Sequence, residues 1–297
     1  MGFNANPDDI SAMKASQFRY HAPKTIDEAV ATLADVAPHD GRVLAGGQSL
    51  VPIMAFRLAR PGHLVDINGI DSLNRVSVEG DKLCIGACVR HAAFYRPMIE
   101  GVLGKLLATV VQYIAHYPIR ARGTFCGSIA HADPSSEWCT VATALGAEMV
   151  VRSVRGQRII SAREFFTGMM TTSLREDELL TEVRLPLLAS DTRFGFDEFS
   201  RRAGDFAMAM ALTLYRLEDG RIIEPRVAIG GAEPRPLRVL NAEQALEGQV
   251  PGAASFASAA DQAARAIEPM EDVQTSGEYR RDLVRTMTLR ALERTIA

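Results

Sequence analysis

The stretch Leu44-Ala45-Gly46-Gly47-Gln48-Ser49-Leu50, entered from the β-prone Arg42-Val43, decides how this chain is read. Paired glycines after a strand leave backbone N–H groups bare where a side chain would obstruct, and Ser49 sets a hydroxyl beside them. Consecutive bare amides form a concave nest that suits a diphosphate. A second stretch has the same design far down the chain: Arg122-Gly123-Thr124-Phe125-Cys126-Gly127-Ser128, followed by Ile129-Ala130-His131-Ala132-Asp133-Pro134. One Gly-Gly pair is usually a turn; two such loops, each with a hydroxyl attached, point to a nucleotide cofactor.

Neither loop has the G-x-G-x-x-G spacing of a dinucleotide-binding βαβ unit, so a Rossmann fold is a poor reading. Working outward, strands and helices are mixed rather than strictly alternating, which predicts an α+β fold. Thr25-Ile26-Asp27-Glu28 has the capping-box pattern ahead of a short helix, and Ser161-Ala162-Arg163-Glu164 repeats it. Ser49 is expected to cap the helix after the first loop, and a single helical pattern fills Val102 to Ala115. Hairpins are predicted over Val76–Val89 and Ala147–Ser161, an alternating strand over Glu178–Leu185, and a meander from Met208 to Gly230. Polar Ala189-Ser190-Asp191-Thr192 is the candidate domain boundary. Three helices close the chain, the last with a packing stripe of Leu283, Met287, Leu292 and Ile296.

Bulk properties exclude several classes. The 297 residues are 47% hydrophobic and 23% charged with net charge −3, ordinary for a soluble globular protein. There is no basic stripe for nucleic acid and no apolar run of membrane-spanning length. Met1 to Ala15 lacks an apolar signal region and reads as a flexible tail. Cys84, Cys88, Cys126 and Cys139 match neither zinc nor iron–sulfur spacing; the first two read as core, and cytoplasm is the expected compartment. His116, His131, Asp133 and Trp138 sit near the second loop, where scaffold roles are expected over acid–base or metal chemistry. Arg120 and Arg122 fit either cofactor charge balance or surface ion pairing.

Three blocks, Val43–Ile67 (VLAGGQSLVPIMAFRLARPGHLVDI), Ile85-Gly86-Ala87 and Ile114–Glu137 (IAHYPIRARGTFCGSIAHADPSSE), resemble the flavin subunits of molybdenum hydroxylases. The resemblance continues through Leu179–Pro186 and Ser200-Arg201-Arg202-Ala203-Gly204-Asp205-Phe206-Ala207 and covers about residues 16–297. It implies an FAD-binding domain of two α+β subdomains (PCMH-type) over residues 16–188, divided near residue 70. A small C-terminal α+β domain with an antiparallel sheet and helices would follow over 193–297. By motif, FAD contacts fall on Leu44, Ala45, Gly46, Gly47, Gln48, Ser49, Leu50 and Val51, and on Thr124, Phe125, Cys126, Gly127 and Ser128. A carboxylate falls on Glu137, an apolar flavin neighbour on Ile114, and a backbone contact on Leu179. Two departures stand out: Cys126 replaces a glycine of the second loop, and the Phe196–Ser200 segment lacks a lysine frequent before the Arg-Arg pair.

The resemblance further implies partner subunits: a large one with molybdopterin and a small one with two iron–sulfur clusters, assembled as a dimer of heterotrimers. FAD would pass electrons from the clusters to an external acceptor, with no catalytic side chain in this chain. The alternatives are a stand-alone FAD-dependent oxidase or dehydrogenase and a flavin-free scaffolding subunit. Gln48 stands where many such oxidases tether flavin through histidine, and it cannot form that bond.

Overall fold

The computed structural model describes residues 14–273 and 275–296; most of the expected tail lies outside the described residues. The chain first winds a small parallel sheet. Strands β1 (Arg19–His21), β2 (Gly41–Leu44) and β3 (His63–Asp66) take the order β1-β3-β2, joined by helices α1 (Ile26–Val36) and α2 (Leu50–Ala55). The predicted capping box holds at α1: Thr25 Oγ1 accepts from Glu28 N at 3.1 Å, and Glu28 Oε2 accepts from Lys24 N at 2.7 Å. At α2 the expectation fails, because Ser49 has helical backbone angles and its hydroxyl makes no capping bond.

An antiparallel sheet of five strands follows, β4 (Val76–Glu79), β5 (Lys82–Gly86), β6 (Glu148–Ser153), β7 (Gly156–Ser161) and β10 (Leu179–Pro186), in the order β4-β5-β10-β6-β7. The last-arriving strand, β10, lies at its centre with alternate residues buried, as its sequence pattern predicts. Between β5 and β6 run α3 (Val102–Val110), α4 (Tyr117–Arg122), α5 (Phe125–His131) and α6 (Glu137–Leu145). The single helix expected over Val102–Ala115 is thus too long. It stops at Val110, and the chain turns through Ala115 at φ 39° before α4. Between β7 and β10 lie α7 (Ala162–Phe165) and the two-stranded β8 (Phe166–Gly168) and β9 (Thr171–Thr172). Ser161 makes no capping bond to the backbone there; its hydroxyl meets the Glu164 carboxylate instead.

After the polar Ala189–Thr192 segment, β11 (Arg193–Phe199), β12 (Ala209–Glu218), β13 (Arg221–Gly230) and β14 (Leu237–Arg238) form a third, antiparallel sheet. Helices α8 (Leu240–Leu246), α9 (Ala253–Arg265) and α10 (Gly277–Arg294) cover one face. The other face packs on the first part of the chain, so β12 is buried on both sides. Met210, Leu212 and Leu214 enter the core of the first part, whereas Ala209, Ala211 and Tyr215 enter the helical core. Leu283, Met287 and Leu292 of the predicted stripe are buried, but Ile296 lies beyond α10 and is half exposed. All four cysteines are free and buried.

Candidate functional site

The first loop leaves β2 at Leu44 and turns at Gly47, whose φ of +72° suits a residue without a side chain. Among the described residues, no group accepts a hydrogen bond from the backbone N–H of Gly46, Gly47, Gln48 or Ser49. Gln48 turns its side chain inward instead, Nε2 donating to Gly46 O at 3.2 Å. Leu50 and Val51 begin α2, with Val51 half exposed. Four neighbouring backbone donors and the Ser49 hydroxyl, none with a partner among the described residues, fit the diphosphate of a dinucleotide.

The second stretch takes a different form. Thr124 caps α5, its Oγ1 accepting from Gly127 N at 3.1 Å, so Phe125 to Ser128 are helical rather than an open loop. Thr124 is itself buried, and the Ser128 hydroxyl meets Ser136 Oγ at 2.8 Å. Phe125 anchors the helix from below, 4.8 Å from Trp138 and 5.5 Å from Phe94 between ring centres. Cys126 points into the core, Sγ donating to Ile85 O at 3.3 Å. Burial pushes its thiol well above the ordinary cysteine range. Its helical backbone removes the difficulty that the glycine replacement raises, since the side chain faces away from the first loop.

The two stretches meet. A β-carbon on Gly46 would lie 2.4 Å from Arg122 O, and one on Gly127 would lie 3.7 Å from Ala45 Cβ. Residues without a motif hold them together. Asn68 Nδ2 donates to Ala45 O at 2.7 Å, Arg90 Nη2 donates to Asn68 Oδ1 at 2.5 Å, and Arg90 Nη1 donates to Arg122 O. Asp66 orients Asn68, accepting from its backbone N–H at 2.9 Å and from Tyr20 Oη at 2.5 Å. Burial pulls the Asp66 carboxyl up, but these hydrogen bonds and Arg90 outweigh it and hold it below the usual carboxylate range. The signal available in sequence was the Asn68-Gly69 turn dipeptide, separated from the end of β3 by one residue.

Behind the second stretch, His91 accepts at Nδ1 from Trp138 Nε1 at 2.9 Å, and its backbone N–H donates to Gly123 O at 3.0 Å. Burial, then Arg90 and Arg120, drive the imidazole pKa down to about 4, so this ring is neutral scaffold. Trp138 is packing, as predicted. No metal-holding group of histidine, cysteine or acidic residues occurs among the described residues.

Ile114 is buried in the turn after α3. Arg120 fixes that turn, with Nη1 donating to Ile114 O at 2.7 Å and to Ala115 O at 3.1 Å, and Nε donating to Tyr95 Oη at 2.6 Å. Its role is therefore to brace backbone rather than to sit free as a counter-charge. Glu137 opens α6 beside Ser136 and is buried; burial raises its carboxyl above the ordinary range. Leu179 opens β10 opposite Arg152 and is buried in the core, with no hydrogen bond to either glycine stretch among the described residues.

Comparison with known proteins gives this geometry a context. Residues 16–188 match the family described as the FAD binding domain in molybdopterin dehydrogenase, and residues 194–295 match the CO dehydrogenase flavoprotein C-terminal domain. The chain is 36% identical over 280 residues to the nicotine 6-hydroxylase medium subunit of Paenarthrobacter nicotinovorans, covering 94% of this chain and 98% of that one. It is 37% identical over 283 residues to the caffeine dehydrogenase subunit beta of a Pseudomonas strain, covering 95% and 96%. A solved structure of carbon monoxide dehydrogenase from Hydrogenophaga pseudoflava superposes with a TM-score of 0.91 at 35% identity, covering 96% of this chain and 99% of that one.

Proposed function

We propose a function from one premise: the chain belongs to the FAD-binding medium subunits of the molybdenum hydroxylase family. The contact between the two glycine stretches carries the reading of the site. Gly46 against Arg122 and Gly123 brings the bare donors of Gly46 to Ser49 beside the capped Thr124–Ser128 turn. On this reading the nest of Ala45 to Ser49 holds the FAD diphosphate, flanked by Leu44, Leu50 and Val51. Thr124 to Ser128 form its second side, with Gly127 giving the room. Ile114 and Leu179 stand at the flavin ring and its edge, and the Glu137 carboxylate accepts from ribose hydroxyls. FAD supplies the redox chemistry when bound; these residues bind and orient it and exclude water.

The subunit passes electrons from iron–sulfur clusters on a small partner subunit through FAD to an external acceptor, while a large molybdopterin subunit hydroxylates the substrate. Dimers of such heterotrimers in the cytoplasm are the proposed assembly. Among the described residues no helix is long and apolar enough to cross a membrane.

A tagged pull-down from the native host, followed by a visible spectrum and metal analysis of the eluate, tests the reading. Flavin bands with molybdenum, iron and two co-purifying chains are the expected result. A yellow protein without partners or metals, reduced by a small metabolite, would replace it with a stand-alone oxidase. A colourless eluate that brings down partners and takes up no added FAD would leave a scaffold.

A further inference from the structure

On strand β11 the Glu198 side chain is partly buried, with one carboxyl oxygen fully enclosed, and the reading above leaves it without a task. Alternate residues of β11 face opposite ways. Gly195, Asp197 and Phe199 turn toward α10, where Asp197 Oδ2 accepts from Arg294 Nη2 at 3.1 Å and the Phe199 ring lies 6.5 Å from that of Tyr279. Phe194, Phe196 and Glu198 turn toward the flavin-binding part of the chain. Phe196 meets Tyr113, the neighbour of Ile114, edge-on at 4.9 Å. Glu198, two residues further along that face, pairs across the sheet with Met210. Met210 Sδ in turn accepts from Thr140 Oγ1 at 3.3 Å, and Thr140 lies one turn of α6 beyond Glu137. Glu198 therefore stands on the sheet face that packs against the Tyr113 turn and against α6, the helix that Glu137 opens.

Its Oε2 is buried and has no hydrogen-bond partner among the described residues. A carboxylate with one oxygen enclosed and unpartnered has lost part of its solvation, and the charge of Glu137 adds to the cost. The two acids are not equivalent. Glu137 stands in the first turn of α6, where the free N–H groups of a helix favour a negative charge, and Arg120 acts in the same direction. Glu198 stands on a strand beside Asp197, and no cation pairs with it among the described residues.

We propose that Glu198 and Glu137 share one proton, held on Glu198, so that this wall of the flavin site carries a single negative charge and presents one neutral carboxyl as a hydrogen-bond donor. The inference rests on the reading that Ile114 and Glu137 both belong to the FAD site. Burial, followed by the charges of Glu137 and Asp197, raises the Glu198 carboxyl far above the ordinary range, in agreement with the geometry. The other titratable or charged groups around the pair are Asp133 before α6, Arg120 on α4, Tyr113 after α3 and Arg294 on α10. His116, against Gly204, and Arg201 and Arg202 lie on the neighbouring loops.

The test uses the full-length chain stripped of flavin. Infrared spectra at neutral pH are expected to show a protonated carboxyl band that is missing from Glu198→Gln. FAD affinity, read by flavin fluorescence, is expected to hold at neutral pH and then weaken about tenfold per pH unit once the Glu198 proton leaves. Glu198→Gln, a neutral donor of the same shape, should bind FAD without that alkaline loss. Glu137→Gln should move the onset of the loss to lower pH, because one repelling charge has gone. Absence of the band, or an alkaline loss unchanged in Glu198→Gln, overturns the shared proton. Failure of the wild-type chain to bind FAD at any pH would instead overturn the flavin-subunit reading, and the infrared band would still decide the protonation.

Discussion

Gly46 lies against Gly123 with no space for even one more carbon: a β-carbon on Gly46 would fall 2.6 Å from Gly123 Cα and 2.4 Å from Arg122 O. Both obstacles are backbone, and backbone cannot rotate away as a side chain can. This contact joins segments 77 residues apart into one cradle (46 against 123).

Gly46→Ala therefore forces the two stretches apart. The expected cost is about 1–3 kcal/mol of stability, typical of overpacking, together with loss of tight FAD binding. Gly252→Ala is the control, because a β-carbon there meets nothing within 4 Å. Thermal melts and flavin fluorescence on both variants check this; equal behaviour would mean that the cradle yields freely.

The neutral His91 ring predicts a pH dependence. Its folded pKa of about 4 lies below the ordinary value of 6.5, so the unfolded chain binds a proton first as pH falls. Stability from this residue is complete above 6.5 and is lost as pH drops from there toward about 4, with a maximum loss of about 3 kcal/mol. Urea titrations at neutral and acid pH should show that slope in the wild type and a shallower one in His91→Gln. Trp138→Phe, which leaves Nδ1 of a buried ring without its donor, should cost about 1–3 kcal/mol at neutral pH.

Much of this was legible in the sequence because the signals were local. The capping pattern of Thr25 and Glu28, the alternation of β10 and the bare glycines at Gly46 and Gly47 depend on near neighbours, and each formed. Non-local packing hid the rest. Thr124 reads as a loop hydroxyl until Gly127 N is seen to donate to it, and Ser49 reads as a cap although its backbone turns helical too early. Asn68 and Arg90 carry no motif; their role exists only because β3 and the Val89–His91 segment are folded beside the glycine stretches. Glu198 was passed over for a similar reason, since the charge that acts on it most after burial comes from a residue 61 positions away on α6 (137 against 198).

Arg120 makes a prediction about shape rather than charge. Its planar fork reaches the Ile114 and Ala115 carbonyls, and its guanidinium carbon lies 5.3 Å from the centre of the Tyr95 ring. A lysine there keeps the charge but not the fork. Arg120→Lys and Arg120→Ala should both loosen the Ile114 turn and weaken FAD binding, with about 1–3 kcal/mol of stability lost in the alanine variant. Full rescue by lysine would show that charge alone suffices.

Cys126 separates the fold's demands from those of the cofactor. Its side chain fills the core under α5, with Sγ 3.3 Å from Ile85 O, while the first loop lies on the side of Gly127. Cys126→Gly removes that filling and adds backbone freedom within a helix, so it should cost about 1–2 kcal/mol. FAD affinity should stay at the wild-type level, because no atom is removed on the cradle side. The native chain should also resist thiol reagents, since all four cysteines are buried and burial raises each thiol. A gain in FAD affinity on Cys126→Gly would mean that the cysteine obstructs the cofactor after all, and that α5 presents a different face to the first loop than the Ile85 contact requires.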